Sequence, residues 1–206
     1  PVQATGANDG SSASSPSRVC QYAPDSEPVE DFDSLVQFTD PVKGNPNAPV
    51  TVIEYLDPTC SHCKTLHNKM SGVIEAKKKK ARFVYKLFPL RRASFPPVLA
   101  LEVAAREGKF FEMLNRQFAT QQQGFTIKRL RKMARELGID PNAMEQKMRD
   151  KSLMQSIMKE RKRAVNMGVS STPSVFINGR MVGQRSRTPA CLKQLIDQAA
   201  ASEQEG

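Results

Sequence analysis

The hydrophobic pattern of the first third of the chain predicts a β-α-β unit. Val50–Leu56 is rich in β-branched residues and almost continuously apolar, which is typical of a strand buried on both faces. A polar break at residues 57–59 follows, and apolar side chains then recur with helical spacing at Cys63, Leu66, Met70 and Val73. Residues 81–88 are apolar again and predict a second strand.

The middle of the chain, residues 93–167, has helical spacing alone. Prolines and glycines separate its apolar stretches, as the beginnings and ends of helices require. The predicted helices begin near Pro96, Phe111, Thr126, Pro141 and Ser152.

The C-terminal part of the chain predicts a β-β-α unit. Ser174–Ile177 and residues 180–183 are short strands on either side of Asn178-Gly179, a strong hairpin signal, and residues 188–200 predict a helix. The economical interpretation is an α/β fold whose sheet domain is formed by residues 40–92 and 168–206. An all-helical domain, residues 93–167, is then inserted between the two halves.

The N-terminal residues predict little regular structure. Residues 1–28 are rich in small and polar side chains, and they bury too little apolar surface to offset the entropy of ordering. Residues 29–38 indicate a short strand or sheet-edge segment, and the three prolines and one glycine of residues 40–49 predict a loop. We therefore expect residues 1–39 to be a flexible tail with a short edge strand.

The charge of the protein is strongly positive, at +10 for 206 residues. The basic residues are concentrated in predicted helices, near residues 77–80, 128–132 and 159–163, with acidic residues interspersed and no accompanying aromatic ladder. This pattern favours solvated helix faces, and we expect no nucleic-acid partner. No stretch approaches the roughly 18 consecutive apolar residues that a membrane helix needs.

The motif Cys60-Ser61-His62-Cys63 places two thiols on one face of a helix start, where a disulfide can form and open. Unpaired backbone N–H groups and the helix dipole favour an anion at Cys60, which lowers the pKa of a cysteine there from about 8.5 to ~3.5–7.5. Cys60 is therefore the expected nucleophile and Cys63 the resolving thiol. A protonated His62 would stabilise the thiolate further. A stabilised dithiol makes the disulfide form the better oxidant, so the motif favours disulfide donation.

Other interpretations of these cysteines remain open. Cys60, Cys63 and His67 have spacing that a zinc site can use, although no second cysteine pair lies at finger-like spacing, so we expect no metal. A purely structural disulfide is a further alternative. His62 can also be an ordinary surface residue.

The sequence resembles the DsbA-like branch of the thioredoxin superfamily from about residue 40 to the C-terminus. The similar stretches are residues 44–52, Glu54-Tyr55, Cys60-Ser61-His62-Cys63, residues 108–112 and residues 171–179. The resemblance implies a thioredoxin-like fold with an inserted helical domain, and disulfide exchange through Cys60–Cys63 without a further cofactor. It also implies that Pro173 is cis, that Thr172 and Pro173 contact an extended substrate, and that Glu54 is a buried acid beneath the active site. A partly exposed strand position is the alternative for Glu54.

The resemblance further implies partners and a location. The expected partners are unfolded or partly folded cysteine-containing exported proteins and a membrane redox partner that regenerates the enzyme. The expected location is the periplasm or another extracytoplasmic oxidising compartment, with tethering through a preceding N-terminal segment left open.

Two features leave the reaction direction open. The dipeptide between the cysteines is Ser-His where the strongest oxidases of the family have Pro-His, and Thr172 before the proline also occurs in isomerase-type relatives. An oxidase is the leading hypothesis, an isomerase or reductase of the same fold the second. A non-catalytic basic binding protein with structural or zinc-bound cysteines is the alternative from a different class.

Cys20 and Cys191 are the two remaining cysteines. Cys191 lies early in the last predicted helix, and Cys20 lies in a segment flexible enough to reach it. We expect an intramolecular disulfide between them, with free or intermolecular thiols as the alternative.

Overall fold

The central sheet joins segments from both ends of the described chain. The computed structural model describes residues 19–24 and 26–203, and these contain strands β1 (Val42–Gly44), β2 (Val50–Leu56), β3 (Ala81–Leu87), β4 (Ser174–Ile177) and β5 (Arg180–Met181). Their order in the sheet is β1-β3-β2-β4-β5. β2 and β3 are parallel, and the other neighbouring pairs are antiparallel.

Helices connect and cover the strands. The described helices are α1 (Ser61–Lys77), α2 (Phe95–Arg106), α3 (Phe110–Ala119), α4 (Ile127–Glu136), α5 (Pro141–Met148), α6 (Lys151–Asn166) and α7 (Pro189–Ser202). α1 is the crossover between β2 and β3, while α2 to α6 lie in sequence between β3 and β4. The predicted α/β fold of the thioredoxin type, with helices inserted between a β-α-β and a β-β-α unit, is confirmed.

The alternation of side chains along β2 divides the apolar core into two clusters. Val52 and Leu56 point toward a large cluster that includes residues of α1, α7 and the inserted helices. Ile53 and Tyr55 point to the opposite face, where the end of α6 and the 3₁₀ helix Phe32–Leu35 cover the sheet. With both faces covered, β2 is buried at every position, which explains its nearly continuous apolar sequence.

The N-terminal predictions need correction where the structure describes them. Residues 29–38 contain the 3₁₀ helix Phe32–Leu35 in place of a strand, because Phe32 and Leu35 bury their side chains against the sheet. The predicted loop over residues 40–49 contains β1, which pairs with β3 despite the neighbouring prolines.

The predicted flexible tail, residues 1–39, is also wrong for its described part. Cys20 is bonded to Cys191, Tyr22 forms a bridge with Val182, and the N–H of Val29 donates to the carbonyl of Gly179 at 3.0 Å. Long-range bonds therefore order a segment whose composition alone predicts none. Residues 1–18 of that prediction lie outside the described residues.

Candidate active site

The turn between β2 and α1 is built around the carboxylate of Asp57, which is fully buried. Asp57 accepts hydrogen bonds from the backbone N–H groups of Thr59 (2.7 Å) and Leu90 (2.8 Å) and from the hydroxyl of Ser94 (2.5 Å). The N–H of Cys60 in turn donates to the Asp57 carbonyl at 2.9 Å. This turn fixes Cys60 in an extended backbone conformation as the N-cap of α1.

Cys60 and Cys63 are thiols in very different surroundings. Cys60 is partly exposed, whereas Cys63 is fully buried. The Cys63 thiol, Thr172 and the N–H groups of His62 and Cys63 stabilise a Cys60 thiolate and outweigh its partial burial, so the pKa of Cys60 is lowered to about 5. Burial, and then the hydrogen bond to Cys60, raises the pKa of Cys63. Cys60 is thus the ionised, accessible sulfur and Cys63 the neutral, protected one.

The segment that immediately precedes β4 lies beside Cys60. The Thr172–Pro173 peptide bond is cis, and the Cys60 sulfur lies 3.3 Å from the Thr172 carbonyl oxygen, to which the protonated thiol donates. Both Thr172 and Pro173 are buried. Thr172, which is far from Cys60 in the sequence, therefore places its backbone carbonyl beside the Cys60 sulfur.

Glu54 lies in the middle of β2 with 2% of its surface exposed, so the partly exposed alternative is wrong. It is opposite Tyr85 on one side and Val175 on the other. Neither carboxyl oxygen has a hydrogen-bond partner among the described residues, and burial raises the pKa of Glu54 to about 8. Its charge acts on Cys63, whose pKa it raises further. A carboxyl that titrates near neutral pH thus lies within electrostatic reach of the buried thiol.

His62 is exposed on the first turn of α1. Its backbone N–H helps to lower the pKa of Cys60, while the effect expected of its protonated ring stays a prediction. The ring borders a cavity of about 360 Å³, together with Thr172 and Pro173.

Cys20 and Cys191 form a disulfide with Cα atoms 5.1 Å apart. Cys191 lies in the first turn of α7, where its N–H donates to the N-cap hydroxyl of Thr188. The bond attaches the N-terminal segment to the last helix.

His67, which the zinc hypothesis needs as a ligand, has other contacts. Its Nε2 atom is 2.7 Å from Oδ1 of Asn115, and its ring packs against Phe118 with centroids 5.0 Å apart. Within residues 19–24 and 26–203, no group of three or more His, Cys, Asp or Glu side chains is placed to hold a metal ion.

Two further residues support the site and have no sequence signal of their own. The side-chain amide of Gln121, from the inserted helices, donates to the carbonyls of Pro58 (2.8 Å) and Cys60 (2.9 Å). The guanidinium of Arg187 donates to the carbonyls of Pro173 and Val182. These contacts form only when distant segments fold onto the motif, so the sequence alone does not predict them.

No helix in residues 19–24 and 26–203 combines the length and the apolar character needed to cross a membrane.

Comparisons with known proteins agree with this architecture. The family model described as Thioredoxin matches residues 37–198. Among curated proteins, the Na(+)/H(+) antiporter NhaA 1 of Mycobacterium sp. (strain KMS) is 30% identical over 156 residues, which are 71% of this chain and 25% of the antiporter. The NhaA 1 antiporter of Mycolicibacterium gilvum is 30% identical over 146 residues, 68% of this chain and 24% of that protein. The chain thus spans about a quarter of the length of these relatives.

Solved structures share the fold at low sequence identity. Wolbachia pipientis alpha-DsbA1 has a TM-score of 0.70 and 20% identity, over 82% of this chain and 94% of that one. BdbD from Bacillus subtilis has a TM-score of 0.68 and 22% identity, over 79% and 94%. A periplasmic thioredoxin-like protein from Salmonella enterica serovar Typhimurium has a TM-score of 0.68 and 17% identity, over 85% and 99%. The fold is therefore the DsbA-like form of the thioredoxin fold.

Proposed function

This chain belongs to the thioredoxin family, and on that premise we propose that it is a protein thiol–disulfide oxidoreductase that works as a disulfide-forming oxidase. One observation carries the proposal. A partly exposed Cys60 with a pKa lowered to about 5 lies at a helix N-terminus, against the Thr172 carbonyl and one turn from a buried Cys63. The antiporter names describe whole proteins of which this chain matches about a quarter, so the proposal takes its chemistry from the site.

The oxidase reaction has two exchange steps. A substrate thiolate attacks the sulfur of Cys60, the Cys60–Cys63 bond breaks, and Cys63 leaves as a thiolate that takes up a proton. A second substrate thiolate then attacks the substrate sulfur of the mixed disulfide, and Cys60 leaves as a thiolate. The substrate loses two electrons as its disulfide forms, and the enzyme disulfide becomes two thiols.

Each site residue has a place in these steps. Cys60 leaves easily because its thiolate is stabilised, and Cys63 is shielded from substrate by burial. Glu54, with a pKa raised to about 8, is protonated at neutral pH and can supply the proton that the leaving Cys63 requires. The backbone beside the cis proline, at Thr172, is the surface against which an extended substrate segment binds.

The lowered pKa supports the oxidising direction. At pH 7, a shift of the Cys60 pKa from 9.0 to about 5 stabilises the dithiol form by at most about 2.7 kcal/mol. Partial exposure of Cys60 reduces this stabilisation to ~1–2 kcal/mol, or ~20–40 mV for a two-electron couple. The expected substrates are cysteine-containing exported proteins in the periplasm or a similar oxidising compartment. A membrane redox partner would accept the two electrons and restore the Cys60–Cys63 disulfide.

The reduction potential of Cys60–Cys63 tests the direction. The protein is equilibrated in glutathione buffers, quenched with acid and alkylated, and the two thiols are quantified by mass spectrometry, with Cys63→Ser as the control that forms no such couple. A potential above about −180 mV supports the oxidase, and one near about −270 mV assigns the protein to the reductases. Tight, steeply salt-dependent binding of nucleic acid by a protein without dithiol oxidation would favour the binding-protein alternative.

A further inference from the structure

The cavity beside the active site carries positive charge and no acidic side chain. It has a volume of about 360 Å³, and its lining includes His62 and Lys69 of α1, Thr172 and Pro173, and Gln184 and Arg187 beyond β5. We call this surface the cis-proline groove. Its apolar floor includes Leu66, which is 4% exposed.

The cis-proline groove contains two cationic side chains, Lys69 and Arg187, whose charge no carboxylate among the described residues neutralises. Among the described residues, neither Lys69 nor Arg187 forms an ion pair with a carboxylate. Lys77, two turns further along α1, is by contrast paired with Asp197 at 2.5 Å. The charge of the groove is therefore available to a bound molecule.

Arg187 is held in place by the protein itself. Its Nε atom donates to the Val182 carbonyl at 3.2 Å, and the guanidinium also donates to the carbonyl of Pro173. These bonds occupy only part of its donor set, which has five N–H groups. A half-buried, fixed guanidinium beside the substrate-binding backbone loses little entropy when it meets an anion.

The neighbouring acid does not cancel this charge. Glu54 is buried within electrostatic reach of Cys63, and its pKa of about 8 keeps it largely neutral at pH 7. An extended substrate at Thr172 would thus meet positive charge on two sides of its cysteine, from α1 and from the loop after β5.

We propose that the cis-proline groove makes the enzyme selective for cysteines with an aspartate or glutamate nearby in the polypeptide. The proposal rests on the proposed function, since it assigns the substrate preference of that same site. Residues two positions apart in an extended chain point to the same side, so the acidic residue is expected two positions from the cysteine. A charge pair about 6–8 Å apart at a solvated surface contributes roughly 1 kcal/mol, which corresponds to about a fivefold change in rate.

The test uses monothiol peptides that differ at one position. Asp, Asn or Lys is placed two residues before or two residues after the cysteine of an otherwise neutral peptide. Excess peptide reacts with the oxidised wild-type protein, so that two peptide thiols become one disulfide while the Cys60–Cys63 disulfide becomes two thiols. The second-order rate constant is measured by acid quench and mass spectrometry. Each value is divided by that for the same peptide with a small neutral disulfide, because flanking charge alters the peptide thiol itself.

The expected result is a normalised rate about fivefold higher for Asp than for Asn at one of the two positions, with Lys slower than Asn. This preference should shrink as salt rises from about 20 to 200 mM. Lys69→Glu should abolish or invert the preference. Lys64→Glu, which makes the same charge change on α1 but borders a different cavity, should retain it.

Two outcomes overturn the proposal in distinguishable ways. If the Asp, Asn and Lys peptides all react, with normalised rates within twofold at both positions, the selectivity is absent while the oxidoreductase function stands. If the Asn peptide fails to reduce the Cys60–Cys63 disulfide, the proposed function fails, and the selectivity fails with it. An equal loss of preference in Lys64→Glu and Lys69→Glu would also reject the groove as its source.

Discussion

The side-chain amide of Gln121 donates to the carbonyl oxygen of Cys60 at 2.9 Å. Gln121 belongs to a short 3₁₀ helix after α3, so this bond joins the inserted helices to the proposed nucleophile, Cys60. The same amide donates to the carbonyl of Pro58, two residues earlier. The inserted segment thus helps to hold the turn that presents the cysteine.

Replacing Gln121 by alanine should loosen this turn. We expect Gln121→Ala to lower the free energy of unfolding by ~1–2 kcal/mol, because two partly buried hydrogen bonds are lost. The pH midpoint of Cys60 alkylation should also shift upward, because the backbone N–H groups that stabilise the thiolate become less well aligned. Urea titration and the pH profile of iodoacetamide labelling measure the two effects. Gln122→Ala, at the exposed neighbouring position, is the control and should change neither.

The two cysteines of the motif should differ in reactivity. Cys60→Ser should abolish dithiol oxidation. Cys63→Ser, presented with a disulfide-bonded substrate, should accumulate mixed disulfides, because Cys60 attacks the substrate disulfide, one substrate thiol leaves, and the Cys63 thiol that would displace the attached half is absent. Mass spectrometry after a neutral alkylation quench identifies the species. First labelling of Cys63 in the reduced wild type would contradict the assignment of Cys60 as nucleophile.

The stability difference between the reduced and oxidised forms should depend on pH. The folded-state pKa of Cys60 is lowered to about 5 from 9.0, so its stabilisation of the reduced form is absent below pH 5 and grows toward pH 9. Between pH 5 and 8 we expect the reduced form to gain ~1–2 kcal/mol relative to the oxidised form, after allowance for the exposure of Cys60. The four-residue disulfide loop favours the oxidised form by about 2 kcal/mol at any pH, so it does not obscure this trend.

Paired urea titrations at pH 5, 6, 7 and 8 measure that trend, with mass spectrometry to verify that the Cys20–Cys191 bond stays intact. Reduced Cys60→Ser supplies the control, since it should lack the gain. If the stability difference between the reduced and oxidised forms stays constant from pH 5 to 8, the folded protein does not stabilise the Cys60 thiolate, and that part of the proposed function is wrong.

Glu54→Gln should alter both stability and exchange. Because burial raises the pKa of Glu54 from 4.5 to about 8, its contribution to stability is intact below pH 4.5 and lost as the pH rises through 8. The glutamine variant should therefore be ~1–3 kcal/mol more stable than the wild type at pH 7 and similar to it at pH 4. Glutamine cannot supply a proton to Cys63, so reduction of the enzyme disulfide should slow severalfold.

Urea titration and stopped-flow exchange with a dithiol peptide test the Glu54 prediction. Glu75→Gln, an exposed carboxyl on α1, serves as its control and should change neither quantity appreciably. A Glu54→Gln variant with unchanged exchange rate would limit Glu54 to a structural role.

The second disulfide should stabilise the fold without taking part in exchange. Cys20 and Cys191 are 171 positions apart, and closing so long a loop contributes up to ~5 kcal/mol in the chain-entropy model. We expect Cys20→Ser/Cys191→Ser to lose ~2–5 kcal/mol of unfolding free energy while the Cys60–Cys63 potential moves little. Urea titration and glutathione equilibration measure both, and a shift of the potential of more than about 30 mV would show that the two disulfides are coupled.

The sequence by itself determined the main elements and where the two candidate reacting sulfurs lie. The buried strand Val50–Leu56, the helix with its two thiols and the hairpin at Asn178-Gly179 follow from periodicities that local backbone geometry imposes. Part of the lowered pKa of Cys60 likewise follows from the motif, because the Cys63 thiol and the N–H groups of His62 and Cys63 lie within one helical turn, whereas the contribution of Thr172 comes from a distant segment.

The tertiary structure alone decided which distant residues surround the two cysteines. Phe32 and Leu35 order a segment that composition assigns to a flexible tail, because the apolar surface that buries them comes from strands far along the chain. Gln121, Lys69 and Arg187 reach the site from three separate elements, and their sequence neighbours do not distinguish them from other polar residues. Contacts between distant segments depend on how the sheet and the inserted helices pack, which no local pattern encodes.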